Sequence, residues 1–282
     1  MTTTIAVTGA TGHLGRLAIA ALKTRQPGAN LIALVRSPEK ADDLGIPARL
    51  FDYTKPETLA PALKGVDVLV LISSNDFNDR VGQHKSVIAA AKTAGVGRIV
   101  YTSILRGDAS PMLLAADHIG TEAALKASGI PATILRNGWY TENFTGSLPG
   151  AIAAGAMIGS NPTGRVNSAP RTDYAEAIAV TVAPEHAGKT YELAGDVAHT
   201  LPEMAAEVSR LVGKTIPYNA LPTAVYAGIL QSFGLPADFA AVLADCDVQA
   251  NKGALFNDSK TLSKLIGRPT TPWQTVAARD VA

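Results

Sequence analysis

The sequence predicts an α/β fold: a doubly wound, Rossmann-like parallel sheet with a smaller, mainly helical C-terminal lobe. Short apolar runs alternate with helical stretches through the first half of the chain. A glycine-rich turn, "TGATGHLG", follows the first of those runs directly. Helical patterns then dominate the last third.

The strand candidates are Thr4–Thr8, Leu31–Val35, Ala48–Phe51, Asp67–Ile72, Arg98–Thr102 and Ala132–Leu135. They are nearly continuous apolar runs, as expected of parallel strands covered by helices on both faces. Strand–helix alternation implies right-handed crossovers.

Between them lie helices. Leu14, Leu17, Ala18, Ala21 and Leu22 form one apolar stripe. Ser37 before Pro38 reads as a cap followed by proline at the first helical position. Thr54 and Glu57 have the spacing of a capping box, and "VIAAAKTAGV" is a helix ending in glycine. Further on, "LPGAIAAGAMIG" is loosely helical, and "RVNSAPRTDYAEAIAVTVA" reads as a short strand, a turn and a helix. Lys189–Gly195 is a further strand, and Thr200 with Glu203 is a second capping box. "DSKTLSKLIGRP" reads as a helix capped by Asp258 and stopped by Gly267 and Pro269. The expected organisation is a Rossmann domain over residues 1–144 and 163–196, with a smaller lobe over 145–162 and 197–282.

Composition narrows the function. The 282 residues are 47% hydrophobic and 17% charged, the balance of a folded protein with a substantial core. Formal net charge is +1, which supplies no general attraction to nucleic acid or to anionic membrane. Cys246 is the single cysteine, so no intrachain disulfide forms. "MTTTIAVTG" lacks the basic start of a signal peptide. The apolar run Val66–Ile72 is far shorter than the roughly 20 residues of a membrane span. A cytoplasmic location is therefore expected, with a homodimer as one open assembly. The five histidines show no paired ligand spacing, and one cysteine builds no zinc site, so no metal is expected. The two "GKT" triplets lack the earlier glycine of a P-loop, and no G-x-S-x-G elbow exists.

Gly9, Gly12 and Gly15 pass from the first strand into the first helix. A glycine turn there lets backbone approach a pyrophosphate, and the helix start supplies free N–H groups. The spacing is G-x-x-G-x-x-G, and its strand and helix flanks favour a dinucleotide site over a bare structural turn. The second strand ends in Arg36, with no carboxylate to meet the ribose of NAD. An arginine suits a 2′-phosphate, so NADP(H) is expected; Lys40 stands nearby.

A second concentration of interest is "ATILRNGWYTENF", Ala132–Phe144, where three rings follow an apolar strand in a chain that is 5% aromatic. On a doubly wound sheet that strand end faces the ligand.

The layout resembles the short-chain dehydrogenase/reductase superfamily. Its typical catalytic Tyr-x-x-x-Lys is missing: none of the seven tyrosines has lysine four residues on. Near the expected place stands "AADHIGTEAAL", with His118 and Thr121. "VTGATGHLG", "LVRSPEK", "FDYTKPETL", "LISS", "AAKTAGVGRIVYTS", "LRNGWYTENF" and "DSKTLSKLIGRP" together resemble the NmrA-like, atypical branch, and within it the NADPH-dependent quinone oxidoreductases of type 2. The resemblance runs from Thr4 to about Pro269.

It implies cofactor contacts from Gly9, Thr11, Gly12, His13 and Leu14 around the phosphates, and from Arg36 at the 2′-phosphate. It implies Ser73, Ser74 and Asn75 near the ribose, and Asn137, Gly138, Trp139, Tyr140, Thr141 and Glu142 near the nicotinamide. Asp52 would sit by the adenine or serve its turn. The implied chemistry is direct hydride transfer to a quinone or similar conjugated acceptor, without flavin. Candidate hydrogen-bond donors to the developing oxyanion are Tyr140 and Asn143, with His118 and Tyr101 behind them. The alternative is a non-catalytic, NADP(H)-binding redox sensor, which the missing Tyr-x-x-x-Lys also permits.

Overall fold

Each apolar run read as a strand is one in the computed structural model of the chain, which describes residues 2–76 and 78–282. The chain runs β1 (Thr4–Thr8), α1 (His13–Arg25), β2 (Asn30–Val35), β3 (Ala48–Leu50), α2 (Leu59–Ala62), β4 (Val68–Leu71) and α3 (Arg80–Thr93). It continues β5 (Arg98–Ile104), α4 (Ala115–Ser128), β6 (Ala132–Asn137), α5 (Glu142–Thr145), α6 (Leu148–Ala154), β7 (Met157–Gly159), α7 (Arg171–Thr181) and β8 (Thr190–Leu193). The last elements are α8 (Leu201–Val212), β9 (Tyr218–Ala220), α9 (Thr223–Ser232), α10 (Ala237–Asn251), α11 (Thr261–Ile266) and α12 (Trp273–Val281).

The main sheet has the order β3-β2-β1-β4-β5-β6-β8. Pairing from β3 through β6 is parallel, with Ile5 opposite both Leu31 and Val68. The order reverses between β1 and β4, the switch point where doubly wound sheets open a crevice at the carboxyl ends of their strands. The doubly wound α/β expectation holds.

The chain divides into two compact units. The first comprises Met1–Gly107, Asp117–Asn137 and Arg171–Tyr191. Its largest core packs Ile32, Leu34, Leu69, Leu71, Ile99 and Tyr101 against Leu63, Val87, Ala91 and Leu125. On α1 the buried stripe is Leu14, Gly15, Ala18, Ile19 and Leu22, while Leu17 and Ala21 are only half-buried. This helix packs against α7, where Arg25 pairs with Glu176 and Gln26 Nε2 donates to Ala179 O.

The second unit comprises Asp108–Ala116, Gly138–Pro170 and Glu192–Ala282. Its core joins Leu148, Met157, Met204, Val208, Ile216 and Trp273, with Phe144 packed against them. A small parallel pair, β7 with β9, sits beside this core. Among the described residues no helix is long and apolar enough to cross a membrane.

Local structure departs from expectation in four places. Ser37 occupies the cap position, but the stretch Pro38–Leu44 is a 3-10 helix and the serine side chain makes no capping bond. The Thr54–Glu57 box does not form, because Asp52 Oδ1 takes both the Thr54 N–H (3.0 Å) and its hydroxyl (2.8 Å). That Asx turn out-competes the helix start, and Lys55 stands at the cap of the short 3-10 turn instead. Asp258 caps nothing: Asn257 Oδ1 accepts from Ser259 N, and α11 starts only at Thr261 after Lys260 in the left-handed region (φ +57°). The strand expected after Arg165 shrinks to two isolated bridges, Val166 with His199 and Ala169 with Tyr140. The box at Thr200 forms in full, with Glu203 N donating to Thr200 Oγ1 (3.2 Å) and Thr200 N to Glu203 Oε2 (2.7 Å). Gly267 ends α11 at φ +78°, as expected.

Candidate active site

The glycine turn after β1 is made by backbone. Gly9 takes φ +57°, and its carbonyl accepts from Gly12 N–H at 2.9 Å. A Cβ on Gly15 would lie 2.2 Å from Gly9 O and 2.8 Å from Ala10 Cα, so no larger residue fits where α1 meets the turn. The first intrahelical bond is Arg16 N to Gly12 O, which leaves the N–H groups of His13, Leu14 and Gly15 in the helix's opening turn. Thr11 stands half-buried between the glycines, and its carbonyl accepts from Arg16 Nε. A concave turn of this kind fits a pyrophosphate.

Arg36 is exposed just past β2. Its charge reaches Asp52. Burial acts to raise that carboxyl's pKa, but the two Thr54 bonds and the charges of Lys55 and Arg36 outweigh it and leave it lowered. Asp52 is thus a turn residue whose charge faces Arg36.

The segment after β4 is wired from three sides. Ile72 N donates to Thr8 Oγ1 of β1 (2.9 Å), Ser73 N to Thr102 Oγ1 of β5 (2.9 Å), and Ser74 N to His84 Nε2 of α3 (3.0 Å). Ser74 O accepts from Arg80 Nε at 2.7 Å. Ser74 Oγ donates to Gln83 Oε1 (3.1 Å) and accepts from Asp76 N (3.0 Å). Ser73 Oγ is buried and makes no hydrogen bond among the described residues, while Asn75 is exposed.

Behind this segment, β5 and α4 face each other with polar side chains. Tyr101 Oη and His118 Nδ1 are 2.9 Å apart, and His118 is 8% exposed. Burial, reinforced by the charge of Arg80, pushes the His118 imidazole down to about 3, so it is neutral at ordinary pH. Burial pushes the Tyr101 phenol up to about 12. Next along, Glu122 takes Ser103 Oγ at 2.5 Å and both Nε (3.1 Å) and Nη2 (2.7 Å) of Arg136. Ser103 and Arg136 are in register on adjacent strands, so the sheet itself sets up this bidentate pair. Asn137 ends β6, buried, with its carbonyl accepting from Leu105 N at 2.8 Å.

In the second unit, residues 138–144 are fixed against a neighbouring stretch. Thr141 N donates to Ala169 O (2.9 Å), Ala169 N donates to Trp139 O (3.2 Å), and Thr141 Oγ1 bonds Ser168 Oγ (3.1 Å). Gly138 N donates to Leu193 O at 2.7 Å. Thr141 is fully buried, Trp139, Tyr140 and Glu142 are half-buried, and Asn143 is exposed. Thr141, not Asn143, occupies the cap position of α5. Phe144 is a core ring, edge-on to His199 at 6.0 Å.

The first unit therefore gathers Gly9, Thr11, Gly12, His13, Leu14, Arg36, Ser73, Ser74, Asn75, His118 and Asn137 on the strand ends and helix starts of one sheet. The second holds Gly138, Trp139, Tyr140, Thr141, Glu142 and Asn143 in one short segment. Sequence reasoning passed over His84, Arg80 and Gln83, and over the Ser103–Glu122–Arg136 group. Among the described residues no cluster of metal-binding side chains occurs.

Comparison with known proteins agrees with this geometry. The model of a family described as NAD(P)H-binding matches residues 9–183. The chain is 51% identical over 271 residues to quinone oxidoreductase 2 of Escherichia coli K12, covering 95% of each chain. The crystal structure of an NADPH-dependent quinone oxidoreductase from Escherichia coli complexed with NADPH matches with TM-score 0.94 and 49% identity, over 99% of this chain and 100% of that one. Triphenylmethane reductase from Citrobacter complexed with NADP(H) matches with TM-score 0.91 and 35% identity, over 98% and 99%. The glycine turn, the arginine past β2 and the full-length identity agree: the chain belongs to the NAD(P)H-binding family, among the quinone oxidoreductases of type 2.

Proposed function

We propose that the protein is an NADPH-dependent quinone reductase that transfers a hydride directly to its acceptor, without flavin. The observation that carries this is the 51% identity, over 95% of both chains, to a quinone oxidoreductase. NADPH, when bound, supplies the hydride. The turn at Gly9–Leu14 holds the pyrophosphate with helix N–H groups, and Arg36 pairs with the 2′-phosphate. Ser73, Ser74 and Asn75 meet the ribose. Asn137, Gly138, Trp139, Tyr140, Thr141 and Glu142 stand at the nicotinamide side. The same reading makes residues 1–144 and 163–196 the NADP-binding part, and 145–162 with 197–282 the substrate-side lobe.

Reducing a quinone takes a hydride and one proton and yields the hydroquinone. A hydroquinone anion is a much weaker base than an alkoxide, so the site needs orientation more than a strong acid. Tyr140 and Asn143 donate hydrogen bonds to the developing oxyanion. His118 acts from behind with Tyr101: it is neutral, nearly buried and already bonded to the phenol. The non-catalytic sensor is the weaker reading, since no observation in the site favours it. A cytoplasmic location and a homodimer complete the proposal.

The test is oxidation of NADPH by benzoquinone with purified, flavin-free protein. Turnover well above the uncatalysed rate is expected, and no acceleration would overturn the reading. The cofactor assignment is tested separately. Arg36→Ala should weaken NADPH binding by roughly 10- to 100-fold and leave NADH binding nearly unchanged; equal losses for both would remove the 2′-phosphate role.

A further inference from the structure

The start of α3 carries a device that the proposed function does not use. The buried face of α3 is Arg80, Gln83, His84, Val87, Ile88 and Ala91, a single helical stripe. Its second half is apolar, and Val87, Ile88 and Ala91 join the core. Its first half is polar, and all three side chains converge on one residue, Ser74. Arg80 takes its carbonyl, Gln83 its hydroxyl and His84 its amide.

The hydrogens on His84 follow from its partners. Nε2 accepts from an amide N–H, so it carries no hydrogen. Nδ1 then bears it and donates to Thr121 Oγ1 at 2.9 Å, whose own hydrogen goes to Asp117 O at 2.9 Å. A neutral imidazole of fixed tautomer is thus locked between α4 and the segment after β4. Gln83 Nε2 also donates to Asp76 Oδ2, and Asp76 N donates to Ser74 Oγ, so Asp76 is tied to the same group.

The chemical consequence concerns what this segment presents. The N–H groups of Ile72, Ser73 and Ser74 are all consumed inside the protein. A phosphate, which only accepts hydrogen bonds, finds no backbone donor here. The Ser73 hydroxyl is buried as well, so what this segment offers a sugar is the fixed shape of its backbone. Fully satisfied buried networks fix one local conformation.

We propose that His84, assisted by Arg80 and Gln83, is a positioning residue that holds Ser73–Ser74 in the shape that receives the cofactor's ribose. The proposal rests on the NADPH reading. It assigns to His84 no contact with the cofactor: it acts through Ser74. Because the pocket is set before binding, the effect belongs to cofactor affinity and not to the chemical step.

The test compares NADPH binding and steady-state kinetics with benzoquinone for the wild type, His84→Leu, His84→Gln and Val87→Ala. His84→Leu strands the Ser74 amide and should raise both the NADPH Kd and the NADPH KM about tenfold, while kcat moves by less than about twofold. His84→Gln, which restores a side-chain acceptor, should recover most of the loss. Val87→Ala opens a cavity on the same helix and should lower Tm with NADPH KM unchanged. The proposal is overturned if folded His84→Leu binds NADPH like the wild type, if glutamine does no better than leucine, or if Val87→Ala raises KM equally. Gln83→Leu gives a second route should His84→Leu not fold; a KM rise of about threefold is expected, and none would overturn the proposal. A wild type that fails to bind NADPH defeats the functional reading instead, so the two failures are distinct.

Discussion

His84 and His199 are both buried and both neutral, yet they are built into their units in opposite ways. His84 uses each ring nitrogen, one toward Ser74 and one toward Thr121. His199 uses neither: its ring lies 4.7 Å from Trp273 and 6.0 Å from Phe144, and its nitrogens make no hydrogen bond among the described residues. Burial is the main force pushing each imidazole down to about 4. Equal burial and similar titration therefore conceal different roles. What separates them is where the ring nitrogens go. In the first unit a polar group specifies the shape of a segment; in the second a ring fills a core beside the aromatic segment.

The largest effect that probes this comparison is acid destabilisation. His84, His118 and His199 have folded pKa values pushed to about 4, 3 and 4, against an ordinary value of 6.5. The unfolded chain therefore takes up these protons first as pH falls. Stability from neutral burial is complete above about pH 6.5 and is lost progressively as pH drops toward 4. The His84 share is at most about 3 kcal/mol. Urea titrations between pH 7.5 and 4.5 should show the decline, and a flat profile would contradict neutral burial in both units.

The next effect separates the two histidines by sign. His84→Leu leaves the Ser74 amide without its acceptor and the Thr121 hydroxyl oxygen without its donor, and should cost about 2 kcal/mol. His199→Phe keeps a ring in place and removes two unbonded nitrogens, so stability should hold or rise by up to about 1 kcal/mol, with NADPH binding unchanged. A comparable loss in both, read by thermal melts, would break the contrast. The smallest effect is Thr121→Val, which removes the hydroxyl between His84 and Asp117 at constant volume. About 1 kcal/mol of stability should go, with a small rise in NADPH Kd. No change in either would mean that the chain of bonds ends at His84.

The legible parts of this structure are those whose signal is local. Continuous apolar runs located the strands because parallel strands are covered on both faces. The glycine turn was readable because strand, glycines and helix are contiguous. Thr200 and Thr54 head the same four-residue pattern, and only Thr200 caps. The difference is Asp52, two residues earlier, which captures Thr54. The Ser103–Glu122–Arg136 group was invisible because only the register of β5 with β6 brings its members together. The Ser74 clamp did leave a trace: the stripe from Val87 to Ala91 continues back through His84, Gln83 and Arg80 at helical spacing. Polar residues on an inward-facing stripe mark a buried network, and that periodicity was the available signal.

The central claim is that the first unit is built to hold NADPH for direct hydride transfer to a quinone. Its most direct test is kcat/KM for NADPH and for NADH with benzoquinone, on flavin-free protein, for the wild type and Arg36→Ala. Turnover that needs no flavin, a clear preference for NADPH, and loss of that preference in Arg36→Ala with the NADH value unchanged are expected. Turnover only after flavin is added, or equal use of the two cofactors by the wild type, would contradict the claim.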